Sequence, residues 1–157
     1  MRASGCAMKG ENIMDKLFTA LNKKMLQLRI DADNHKCRCS WCYYPGLIMA
    51  TDGYIGYILP ERECYVRFSE DGHLNRTPVD IHKTEDADIV FLTDIVTRDG
   101  KLYYRTHEPD IYIDVKKADL FKDCRLYASK GSKGLFLVYY QNLPVGIIMG
   151  RRIKEGE

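Results

Sequence analysis

Apolar side chains recur at steps of three and four along residues 12–29, NIMDKLFTALNKKMLQLR, where Met14, Leu17, Phe18, Leu21, Met25 and Leu28 share one side of a 3.6-residue repeat. This spacing predicts an amphipathic helix with an apolar stripe that packs on a sheet. Asn12 is placed to cap it, and Asp15 in the first turn complements the positive end of the helix dipole. A second, shorter helix of about three turns is predicted over residues 115–125, VKKADLFKDCR. Ala118, Leu120, Phe121 and Cys124 can turn inward there, and Asp114 can cap it.

Elsewhere the apolar residues alternate or form short runs bounded by turn formers. That pattern predicts strands at 37–44, 47–51, 54–59, 64–68, 89–97, 101–106, 125–129, 135–141 and 145–153. Asp52-Gly53, Asp71-Gly72 and Asp99-Gly100 lie between such runs, and Asp-Gly tolerates the positive φ that tight hairpins demand, so an antiparallel sheet is expected. GSKG and NLP turns join the last strands. Helix followed by strands thus occurs twice, with a seam in the polar stretch 78–88. The expected architecture is one α+β domain of two pseudo-repeated helix-plus-antiparallel-strand halves over residues 12–153, with a flexible start (1–11) and a frayed tail (154–157).

A chain of 157 residues with 45% hydrophobic and 29% charged positions has the balance of one globular domain. At that length roughly 70% of the unfolded surface is buried on folding, so six cysteines are not needed as staples. The longest apolar runs, LFLVYY and VGIIMG, fall short of the ~20 residues of a membrane span. MRASGCAMKGEN lacks the apolar core of a secretory signal, so a cytoplasmic location with reduced thiols and no membrane partner is expected.

A net charge of only +2 argues against a general polyanion coat and makes placement matter more than the sum. In 12–29, Lys16, Lys23, Lys24 and Arg29 stand against Asp15. In 116–125, Lys116, Lys117, Lys122 and Arg125 stand against Asp119 and Asp123. The two predicted helices carry +3 and +2, leaving the remainder of the chain at −3. Basic helices suit duplex phosphates, because lysine and arginine there release counterions without reading bases. A solvated helix face has the same composition, lysine and arginine being good helix formers.

Ala50-Thr51-Asp52-Gly53, ending a strand, resembles a signature of the bacterial DNA polymerase sliding clamp family. Residues 112–153 resemble that family's closing half, a strand entering a helix and then strands, with Met149, Arg152 and Ile153 at the places of its Met-x-x-Arg-aliphatic ending. The resemblance implies a non-enzymatic DNA-clamp fold, no cofactor, and duplex DNA or replication proteins as partners. It also implies partner-peptide contacts at Met149, Arg152 and Ile153. Two departures stand out: Tyr54-Ile55-Gly56 replaces the usual His-Arg-Leu, and Gly150-Arg151 replaces Pro and the second Met. Family chains carry three such domains, so a ring here would require a homo-oligomer. The alternatives are a clamp-fold protein-interaction module of a mobile element without DNA binding, or a small zinc-binding protein.

The zinc alternative rests on His35, Cys37, Cys39 and Cys42 within eight residues. Only Cys39 and Cys42 have C-x-x-C spacing and no second pair follows, which favours structural thiols; on a strand Cys37 and Cys39 share a face with Trp41 while Cys42 points away. KGSKG lacks the spacing of a phosphate-binding loop, and His73, His82 and His107 have no nucleophile motif nearby. Eleven tyrosines, among them Tyr54, Tyr57, Tyr103, Tyr104, Tyr139 and Tyr140, fit strand composition and could also stack on bases.

Overall fold

In the computed structural model, which describes residues 5–82, 92, 94–129 and 131–154 with side chains from Ile13 onward, the first helix is α1, Gly5–Asp33. It begins well before Asn12, because Ala, Met, Lys and Glu in that stretch are good helix formers. Asn12 therefore lies inside the helix and not at its start, and residues 5–11 are helical where a flexible start was expected. The stripe faces inward: Leu21, Met25 and Leu28 are buried, and Met14, Leu17 and Phe18 partly so. The helix ends in a Schellman motif, with Lys36 N–H donating to Asp31 O (2.8 Å), His35 N–H to Ala32 O (3.0 Å), and His35 taking the positive φ usually left to glycine.

Beneath α1 lies a six-stranded antiparallel sheet. Its strands are β1 (Ser40–Tyr44), β2 (Leu47–Thr51), β3 (Ile55–Pro60), β7 (Arg125–Ala128), β8 (Leu135–Tyr140) and β9 (Leu143–Met149), in the order β1-β2-β3-β9-β8-β7. A second antiparallel sheet runs β10-β6-β5-β4, from Arg151–Arg152, Ile111–Asp114, Lys101–Arg105 and Ile95–Arg98. The fold is thus α+β, with one long helix and two antiparallel sheets. Of the predicted strand 89–97, residues 89–91 and 93 lie outside the described residues, as does 83–88 of the seam.

Four expectations are corrected. The second helix, α2, is only Val115–Asp119, capped by Asp114, whose Oδ1 accepts from Lys116 N–H (2.9 Å). Tight i→i+3 bonds follow it, Phe121 N–H to Ala118 O and Cys124 N–H to Phe121 O (both 2.9 Å), returning the chain to β7 after one turn rather than three. Residues 64–68 form no strand, since buried Asn22 of α1 holds that segment: its Oδ1 accepts from Tyr65 N–H and its Nδ2 donates to Glu63 O (each 2.9 Å). Asp71-Gly72 is accordingly part of a single 3-10 turn, Glu70–Gly72, and not a hairpin. The run 145–153 breaks at Gly150, where the chain leaves one sheet for the other. A Cβ there would lie 2.8 Å from Ile111 Cγ2 and 2.9 Å from Phe136 Cε2, so only glycine fits the crossing.

The principal core lies between the six-stranded sheet and the helical layer, and Ile111 and Ile113 of β6 close one side of it. On the sheet's other face, Leu74, Val79 and Ile81 cover Met49, Ile58 and Leu137. The described part of the seam is therefore a packed strap, fastened where Tyr44 OH donates to Val79 O (2.8 Å) and Tyr139 OH to Ile81 O. Among the described residues no helix is long and apolar enough to cross a membrane.

Candidate nucleic-acid interface

Leu21, Met25 and Leu28 of α1 share one buried cluster with Ala118 and Phe121 of the α2 region and with Ile55, Val138 and Ile148 of the sheet. Both helical segments consequently cover the same sheet face. Between them runs an open groove of about 340 Å³, with Lys16 of α1 and Lys122 and Asp123 of the turn after α2 on its walls and Leu17, Cys124 and Tyr140 among its lining. Lys23 is exposed and seven residues from Lys16, hence on the same side of the helix, and Lys24 is exposed beside it.

The other basic candidates go elsewhere. Arg29 Nε pairs with Asp33 Oδ2 at 3.8 Å. Lys116 faces a pocket shared with Lys101 and Asp114, and Lys117 leans over the ring of Tyr54, 5.2 Å from its centroid. Arg125 is exposed at the start of β7, an edge strand. The full length of α1 also changes its charge. Adding Lys9, Glu11, Asp31 and Asp33 brings it to +1 where +3 was expected, with the carboxylates Asp31 and Asp33 gathered at its C-terminal end.

The ATDG stretch builds a self-held loop. Asp52 Oδ1 accepts from Tyr54 N–H (2.8 Å) and Ile55 N–H (2.9 Å), while Thr51 Oγ1 donates to Ile55 O (2.7 Å) and accepts from Gly53 N–H (2.9 Å). Pairing of Thr51 with Gly56 leaves four residues in the connection, so it is an Asx-type loop, not the two-residue hairpin that Asp99-Gly100 forms between Arg98 and Lys101. Met149 N–H donates to Tyr54 O (2.8 Å), tying the loop to the end of β9. Tyr54 itself is 65% exposed. It faces a cleft of about 420 Å³ lined also by Lys101, Tyr103, Lys117, Met149 and Arg151. Sequence reading passed over Lys101, and its pointers to the cleft were the two departures from the family pattern, Tyr54 after ATDG and Gly150-Arg151 in the ending.

Of the ending, Met149 is 40% exposed and Arg152 exposed, whereas Ile153 is buried with Tyr103 and Tyr112 and offers a partner no surface. The cysteine cluster divides: β1 begins at Ser40 and not at Cys37 as expected, so Cys37 and Cys39 lie in the connection before it and pack toward Trp41 and the helical layer, whereas Cys42 of β1 enters the core on the opposite sheet face. His35 is exposed, spent on ending α1. Among the described residues no three His, Cys, Asp or Glu side chains converge on a point that could hold a metal ion. Burial raises the Cys39 thiol to about 11, with Cys37 adding to the shift, so this region holds protonated thiols at neutral pH. Comparison of the chain with family models, with curated proteins and with solved structures yields no match.

Proposed function

We propose that this chain is a non-enzymatic, clamp-like module that associates with duplex DNA through its helical face, Lys16, Lys23, Lys24 and Lys122 contacting phosphates. The observation that carries the reading is the groove itself: two helical segments on one face of one sheet, with Lys16 and Lys122 across it. Such contacts are sequence-independent and salt-sensitive, since they act by releasing counterions. The acidic C-terminal end of α1 directs the phosphates to the Lys16–Lys24 portion of the helix.

Support for the clamp-like element comes from the order of the large sheet. The meander β1-β2-β3 follows α1, the meander β7-β8-β9 follows α2, and the two join through their last strands, β3 and β9, as doubled halves would. A single such domain cannot surround a duplex, so the reading includes self-association. Light scattering coupled to size exclusion, with and without a fluorescent duplex, tests both parts. An oligomer that retains duplex at low salt is expected, and a monomer that retains none refutes the proposal.

A protein-binding role instead of a DNA-binding one is favoured by Ile13, Leu26 and Ile30, which leave 45%, 45% and 42% of their surface exposed on α1. Under that reading the helical face meets a replication protein, and Leu26→Ser/Ile30→Ser abolishes capture while duplex affinity is absent from the outset.

A further inference from the structure

The cleft around Tyr54 lies outside the helical groove and is built differently. Three cations, Lys101, Lys117 and Arg151, and one carboxylate, Asp114, surround it. Asp114 is engaged as the cap of α2, with its Oδ1 on Lys116 N–H. Arg151 is held in place: its Nη1 donates to Tyr103 OH (2.7 Å) and its guanidinium carbon lies 5.8 Å from the Tyr103 ring centroid. Tyr54 is held from both sides, by the Asp52 side chain on its amide and by Met149 N–H on its carbonyl. Lys117 covers part of the Tyr54 ring, and 65% of the residue remains open to solvent.

An exposed aromatic ring on a tethered backbone, beside an arginine held by Tyr103 and two lysines, recognises a ligand with a flat π surface and an anionic group a few ångströms away. A volume of about 420 Å³ is of the order of a single nucleotide site. We propose that this cleft binds a nucleotide, its base stacked on Tyr54 and its phosphate between Lys101 and Arg151. Binding comes from stacking and charge, and the one carboxylate of the lining, Asp114, has an oxygen on the helix cap, so base tolerance is expected. The nucleotide can be free or one unit of a single strand, and the chemistry is shared. This inference does not depend on duplex binding by the helical face, because the two sites have no residue in common.

The test is fluorescence anisotropy of a fluorescein-labelled oligothymidylate of about ten nucleotides with the full chain, against Tyr54→Ala, Tyr54→Phe and Lys101→Ala. Tyr54→Ala is expected to weaken binding about tenfold or more, and Tyr54→Phe to stay within about twofold. Lys101→Ala is expected to reduce the salt slope by about one. Displacement of the probe by thymidine monophosphate identifies the free nucleotide as sufficient, and its failure with a longer unlabelled strand succeeding assigns the site to single strands; both accord with the proposal. Because Tyr54 is mostly exposed, circular dichroism of Tyr54→Ala should match the parent chain. Unchanged affinity of Tyr54→Ala, absence of binding at low salt, or equal displacement by oligoglutamate, which would mark an acidic-peptide site, overturns it.

Discussion

Phe121 stands directly over Gly146: a Cβ at that glycine would come within 2.5 Å of the ring's Cζ. The ring is 1% exposed and tilts against Tyr57 with centroids 6.5 Å apart, so the turn after α2 is plugged into β9 at the one place without a side chain. Gly146→Ala should destabilise the fold by about 1–3 kcal/mol through overpacking, and Phe121→Ala by about 3–5 kcal/mol through the cavity it leaves, both read from urea unfolding. The carbonyl of Gly56 lies 2.9 Å from the same Cβ position, so adding Phe121→Leu to Gly146→Ala should restore only part of the loss.

Asp52 serves two amides with one oxygen, and both amides belong to the loop that carries Tyr54. Asp52→Ala is expected to cost about 1–2 kcal/mol and to speed hydrogen exchange at the Tyr54 and Ile55 amides. Exchange at those two positions that is no faster than in the parent would show that the side chain is not what holds the loop.

Asn22 is the polar exception on the buried stripe of α1. Asn22→Ala would leave Glu63 O and Tyr65 N–H without their partner, and a loss of about 1–3 kcal/mol is expected by chemical denaturation. Asn22→Asp keeps an acceptor for Tyr65 but turns a buried carboxylate toward the carbonyls of Phe18 and Glu63, so it should destabilise at least as much as Asn22→Ala in the same denaturation experiment.

Alkaline pH should weaken the protein. Burial pushes the Cys124 thiol from 9.0 up to about 12, with Asp123 adding to it, and burial pushes the Tyr57 phenol from 10.0 up to about 12, with Asp52 adding to it. Above pH 9 the unfolded chain gives up these protons while the folded chain keeps them. The unfolded state then binds fewer protons, and stability falls with rising pH until the folded-state values are reached. Unfolding midpoints measured between pH 8 and about 11 should decline, and Cys124→Ala should make the decline shallower.

What was legible in the sequence was local. The stripe of α1 and the bounds of β2 follow from periodicity, and the Asp99-Gly100 hairpin and Asp114 cap follow from short-range turn and capping chemistry. What was not legible depends on distant partners. The segment 64–68 alternates like a strand, but a helix asparagine far back in the chain claims its backbone. The second helix has the composition for three turns, yet Phe121 must reach Gly146 and the chain must turn back to β7. Nothing near Gly150 announces that Ile111 and Phe136 crowd it and that the chain changes sheets there. The helical charge was misjudged at the ends: residues past Arg29 continue the helix and bring Asp31 and Asp33 with them. The face shared by Lys16 and Lys122 emerges only once both segments are laid on one sheet.

The most direct test of the account is the salt dependence of duplex affinity for the parent chain and for Lys16→Gln/Lys122→Gln. Both side chains are exposed enough to change without disturbing the core. A linear fall of log affinity with log salt is predicted, and a slope shallower by about 0.9 for each lysine removed. No duplex association at about 50 mM salt, or a doubly substituted chain with the slope of the parent, would contradict it.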